Sequence, residues 1–103
     1  MTKPDIPLLQ KQAEQASGLL KAMSNPHRLL ILCMLCDAPG TSAGELSTIT
    51  GLSPSATSQH LARMKEEGLV ESLRQAQRVN YFIKDEAVSK IINTLKGLYC
   101  PQE

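Results

Sequence analysis

Aromatic side chains are scarce: one Phe, two Tyr and no Trp in 103 residues. The core must therefore be built from Leu, Ile, Val, Met and Ala. No apolar run approaches the ~20 residues that span a bilayer. The opening MTKPDIPLLQKQAEQ lacks the apolar h-region of a secretory signal, so the expected location is the cytoplasm, with no membrane partner. Cysteine is sparse and odd in number, at Cys33, Cys36 and Cys100. An odd count in a reducing compartment argues against a structural disulfide framework. Histidine occurs only at His27 and His60. No repeat, low-complexity tract or linker divides the chain. A net charge of +1 neither demands nor excludes nucleic acid. With 42% hydrophobic and 20% charged residues, the composition is that of one globular domain over 1–103 with a modest core.

What is present is periodic. Leu9, Ala13, Ala16, Leu20 and Met23 step by four and three, the seam of an amphipathic helix over about 6–23, with Lys11, Glu14 and Lys21 outside it. In SNPHR, Asn25 can cap a second helix and Pro26 suits its first turn. HRLLILCML is apolar nearly all round, which predicts a central, buried helix ending at Asp37-Ala38-Pro39-Gly40. Ser42 and Glu45 form a capping box for a short third helix over about 43–50, and Gly51 can end it in the left-handed conformation. Ser53 caps a fourth helix that runs to Gly68. LVESLR and RVNYFI then read as a β-hairpin over about 69–83, split by Gln75-Ala76-Gln77. From Asp85, the residues Val88, Ile91, Ile92, Leu95, Leu98 and Tyr99 return to helical spacing, predicting a closing helix over about 85–99. The fold class is mainly α with a β-hairpin wing: four helices, a hairpin and a helix.

The third helix, the turn Gly51-Leu52-Ser53 and the fourth helix have the lengths of a helix-turn-helix, over about 42–67. On the fourth helix Leu61 and Met64 face the core, with Thr57 on that side one turn earlier. Ser55, Ser58, Gln59 and Arg63 project from the other side. A helix entering a major groove needs short side chains where the duplex comes close, and donors and acceptors that meet base edges. It reads bases mainly through its N-terminal residues. Ser53 is a cap, but Ser55, Ser58 and Gln59 exceed what capping requires. The candidate DNA-binding residues are Ser55, Thr57, Ser58, Gln59, His60 and Arg63, with Gln77 and Arg78 of the hairpin. Arg74 and Arg78 flank the hairpin tip, where cations neutralise phosphates. Across 53–84, five Lys or Arg oppose three Glu, a modest local excess.

LKAMSNPHRLLILCML, SAGELSTITGLSPSATSQHLARMKEEGLVES and RVNYFI closely resemble the ArsR-type winged-helix repressors of bacteria, over about residues 16–99. The resemblance implies a homodimer held by the first and last helices, with two recognition helices reading a dyad-symmetric DNA operator. Two apolar helices flanking a small domain agree with self-association, which would bury them. Many members of that family sense metals. Here the third helix, TSAGELSTIT, has no Cys-x-Cys, and DEAVSKIINTLKGLYCPQE has no histidine, so no metal site is expected.

The thiols carry a second resemblance. Cys33 in ILCML and Cys100 in LYC, with the glycine-free QAQ wing tip, are similar to the sulfide- and persulfide-responsive branch of that family. This implies that reactive sulfur species, persulfide or polysulfide, bridge Cys33 and Cys100 and that the bridged dimer releases its operator. Cys36 departs from the two-thiol pattern, and its reaction with either partner stays open. Three other readings compete. CMLC is a Cys-x-x-Cys, as in thiol-disulfide oxidoreductases, but such motifs act at a helix N-terminus after a strand. Cys100-Pro101 resembles the Cys-Pro dipeptide of some haem-regulated proteins, which would make haem a cofactor. The fourth reading is a dimerisation module without DNA binding.

Overall fold

A computed structural model describes residues 3 and 5–100. Five helices and a small sheet follow in the order α1 (Ile6–Met23), α2 (Pro26–Asp37), β1 (Thr41–Ser42), α3 (Ala43–Thr50), α4 (Pro54–Glu66), β2 (Val70–Gln75), β3 (Arg78–Ile83) and α5 (Glu86–Tyr99). The helix starts are written in short polar side chains. Asp5, Asn25, Ser42, Ser53 and Asp85 each accept a backbone N–H of the following turn, which satisfies donors a helix leaves unpaired. At Ser42 the capping box is complete, and α3 ends on Gly51 at φ +75°, a conformation costly for any residue with a Cβ.

The sheet is antiparallel with strand order β1-β3-β2. Two details differ from the sequence reading. β1 is an addition: Thr41 and Ser42 pair with Tyr81 and Asn80. A two-residue strand shows no alternation, so only its partner reveals it. Gln75 belongs to the hairpin ladder opposite Arg78, leaving Ala76-Gln77 as a two-residue turn. Ala76 takes the required positive φ of +57° without being glycine, a strain of about 1 kcal/mol.

The core is aliphatic. Ile31, Leu32 and Leu35 of α2 meet Leu46 of α3, Leu61 and Met64 of α4, Leu69 and Val70 at the wing base, and Val88 and Ile92 of α5. Each fully buried aliphatic side chain contributes about 1.5–3 kcal/mol of transfer free energy. α1 is different. Only Met23 of its 18 residues is buried, while Ile6, Leu8, Leu9 and Leu20 stay exposed. Leu98 and Tyr99 at the end of α5 are 70% and 79% exposed. The radius of gyration of 15.7 Å exceeds the ~13 Å of a compact domain this size, because α1 stands off the body. Among the described residues, no helix is long and apolar enough to cross a membrane.

Candidate nucleic-acid interface and thiol site

The turn between α3 and α4 is pinned by side chains. Ser47 Oγ donates to the Leu52 carbonyl at 2.7 Å, and the Leu52 N–H reaches Thr50 Oγ1 at 3.3 Å. These bonds, the left-handed Gly51 and the Ser53 cap hold α4 at one angle to α3. α4 then divides as its 3.6-residue period dictates: Thr57, Leu61 and Met64 are buried, whereas Ser55, Ser58, Gln59 and Arg63 are exposed on one face.

Thr57 corrects an expectation. It is 0% exposed, and its Oγ1 donates to the Ser53 carbonyl at 2.9 Å, so it braces the first turn from inside and cannot meet DNA. His60 is half-buried and tied to α2, where Arg28 Nε donates to its Nδ1 at 3.3 Å. Accepting at Nδ1 leaves the proton on Nε2. Burial holds the His60 imidazole below the usual histidine pKa, and the positive charge of Arg28 adds to this, as do His27, whose ring lies 6.1 Å away, and Arg63.

Arg28 has no counterpart among the residues singled out in the sequence. Besides His60 it donates to the Ala22 carbonyl at 2.8 Å and lies 3.6 Å from Glu67, joining the end of α1 to α2 and to the middle and C-terminal end of α4. Its role depends on residues 6 and 39 positions away, which no local pattern reports.

On the wing, Arg74 and Gln77 are exposed near the tip. Arg78 is engaged: its Nε donates to Asn80 Oδ1 at 2.6 Å and its guanidinium pairs with Glu45 of α3. Asn80 passes the chain on, donating to Gln75 Oε1 at 2.8 Å. Glu45 therefore has two tasks. The Ser42 hydroxyl and N–H hold its carboxyl below the usual range, and Arg78 adds to that. The capping box was legible in the sequence, but its link to the wing was not.

The second site lies between α2 and α5. Cys33 and Cys100 line one apolar cavity of about 200 Å³ with Leu29, Ile92, Leu95, Lys96 and Tyr99. Cys36 does not line it and faces Ser89 instead, whose hydroxyl favours the Cys36 thiolate. Burial nevertheless pushes both the Cys33 and Cys36 thiols up, and Lys96 works against it at each. Lys96 in turn bonds Asp37 Oδ1, the last residue of α2. In the sequence Asp37 stood out only as the end of a helix and Lys96 not at all, although Lys96 precedes Cys100 by one helical turn. Both thiols of the Cys-x-x-Cys sit in the second half of α2, far from the N-terminal dipole that activates oxidoreductase thiols. Among the described residues, no three of His, Cys, Asp or Glu group to hold a metal ion. Pro101, and with it the Cys-Pro dipeptide of the haem reading, lies outside the described residues.

Comparison with known proteins gives one answer. The profile of the bacterial regulatory proteins of the arsR family matches residues 25–72, which include α2, the helix-turn-helix and the start of the wing. The chain is 68% identical over 97 residues to the HTH-type transcriptional regulator YgaV of Escherichia coli, covering 94% of this chain and 98% of that one. It is 47% identical over 92 residues to the transcriptional activator HlyU of Vibrio cholerae, covering 89% and 84%. The crystal structure of a predicted DNA-binding transcriptional regulator from E. coli superposes with a TM-score of 0.88 at 67% identity, covering 92% of this chain and all of that one. These relatives are regulators of transcription and not enzymes, which removes the oxidoreductase reading. A helix braced from within by Thr57, presenting Ser, Gln and Arg beside a hairpin wing, is what such regulators need, and the chain belongs to the ArsR family of winged helix-turn-helix transcriptional regulators.

Proposed function

We propose that the chain is a homodimeric repressor that holds operator DNA while its thiols are reduced and lets go when reactive sulfur species bridge Cys33 to Cys100. The observation that carries this reading is the cavity the two thiols share within one subunit, one on α2 and the other capping α5. With hydrogen disulfide as oxidant the chemistry balances. The Cys33 thiolate attacks one sulfur of HSSH, an S–S bond forms as another breaks, and hydrosulfide leaves. The Cys100 thiolate then attacks the Cys33 sulfur and expels a second hydrosulfide. Two thiols and one molecule of hydrogen disulfide become one protein disulfide and two molecules of hydrogen sulfide.

Dimerisation follows from the apolar surface left uncovered. The face of α1 carrying Leu9 and Leu20, and the end of α5 carrying Leu98 and Tyr99, have no cover within the subunit. A second copy would bury both and set two α4 helices at half-sites about 34 Å apart. Ser55, Ser58, Gln59 and Arg63 would read base edges, and Gln77 and Arg78 would follow the backbone, with His60 fixing the helix from behind. Because α5 belongs both to that interface and to the thiol cavity, a bridge there tilts the two reading heads. A coupling of about 1–3 kcal/mol changes affinity about 5–150-fold.

The test is a gel shift on the upstream region of the protein's own gene, with intact mass spectrometry before and after polysulfide. Cys33→Ser and Cys100→Ser should bind when reduced and stay bound under polysulfide, whereas wild type dissociates with a mass change matching an internal bridge. Wild-type release from either serine variant overturns the pairing.

A further inference from the structure

Resting on the thiol-switch reading, we propose that Lys96 is a positioning residue for Cys33: its ammonium, held in the reduced protein by Asp37, turns to the sulfur anion that forms in the shared cavity. The geometry is a pair of rungs between two helices. Cys33 and Asp37 are four residues apart on α2, and Lys96 and Cys100 four apart on α5, so each pair shares a helix face. One rung is made already, Lys96 to Asp37. The other would be Cys33 to Cys100, across the cavity that Lys96 also lines.

The charged and titratable groups acting on Cys33 are Lys96 and Cys100 from α5, and Cys36 and Asp37 from its own helix. Only Lys96 is a cation. Burial, the two neighbouring thiols and the Asp37 carboxylate all oppose a thiolate there, and Lys96 alone favours it. Lys96 lines the cavity through its methylene stem, while its ammonium lies at the solvent-exposed rim beside Asp37. Asp37 keeps the lysine firmly protonated, so it acts as a fixed charge and not as a base. In both steps of bridge formation a sulfur anion attacks and a hydrosulfide leaves. An ammonium that swings from Asp37 to the cavity mouth lowers the cost of each anion. Asp37 competes for that ammonium, so the pair sets how readily Cys33 reacts.

The experiment follows iodoacetamide alkylation of Cys33 against pH in full-length protein carrying Cys36→Ser and Cys100→Ser. Adding Lys96→Met should move the midpoint up and slow alkylation at pH 7 about five- to tenfold, because below the midpoint thiolate falls tenfold per pH unit. Lys96→Arg should restore the wild-type profile. Asp37→Asn should move the midpoint down and speed the reaction. A purely structural role for the ion pair predicts that Lys96→Met and Asp37→Asn shift the profile in the same direction, and that result, or no shift in either, overturns the proposal. The readout needs no DNA and no polysulfide. Shifts as expected in a protein whose wild type keeps its operator under polysulfide would sink the switch and leave Lys96 as assigned. Operator release without the shifts would do the reverse.

Discussion

Arg28 of α2 and His60 of α4 meet side chain to side chain, the guanidinium Nε donating to Nδ1 across 3.3 Å. This bond needs the imidazole neutral, because a protonated ring has no acceptor to offer. Helix α4 is thus fastened to the cysteine-bearing α2 by a contact that acid removes.

The pH dependence has a definite sign. The folded-state pKa of His60 lies below the ordinary 6.5, so the unfolded chain takes up the proton first. Stability from this site is full above pH 6.5 and is lost as pH falls through that value toward the folded pKa. Thermal melts from pH 8 to pH 5.5 should show wild type losing more than His60→Asn, whose amide can accept without titrating. Parallel curves would show that His60 is not the group responsible.

Freeing Arg78 should strengthen DNA binding. Glu45→Gln removes the carboxylate that neutralises it, so affinity for unrelated duplex rises and log Kd depends more steeply on log salt, by about one unit. Arg78→Ala should weaken binding and make the slope shallower by a similar amount, about one unit. Fluorescence anisotropy at several salt concentrations measures both slopes. Equal slopes in all three proteins mean that Arg78 stays on Glu45 in the complex.

Gln59 is expected to read a base and not a phosphate. Gln59→Ala should cost about 1–3 kcal/mol on the operator and almost nothing on random duplex, leaving the salt slope unchanged. Uniform weakening on every sequence would reassign it to the backbone.

Leu20 is 53% exposed on a helix that buries one residue of 18. Leu20→Glu should leave the helical circular dichroism of the body intact while shifting light scattering from dimer to monomer and lowering operator affinity at least tenfold. Ile92→Ala, by contrast, opens a hole in the core and should cost about 2–5 kcal/mol of stability, seen in urea melts. A dimer unaffected by Leu20→Glu places the interface elsewhere.

Much of the fold was legible because its signals are local. The helix caps, the spacing of Leu61 and Met64, and the alternation of the hairpin all lie within a few residues of what they specify. β1 escaped because a strand of two residues carries no period, and Gln75 because the turn type depends on the φ of Ala76. Spacing puts Thr57 on the core side while its hydroxyl suits a DNA contact, a conflict that burial resolves in favour of the core. Arg28, Glu45 and Lys96 were missed as functional residues for one reason: their partners lie far along the chain.

By itself the amino-acid order determined the helices, their caps and the hydroxyl-rich face of α4, since 3.6-residue periodicity and capping act over one or two turns. Only the tertiary structure decided which charges meet. Arg78 finds Glu45 across 33 residues and Lys96 finds Asp37 across 59, brought together when α2 packs on α5 and the wing folds against α3. Burying aliphatic surface sets those approaches, and the ion pairs form where the backbone then leaves opposite charges within reach.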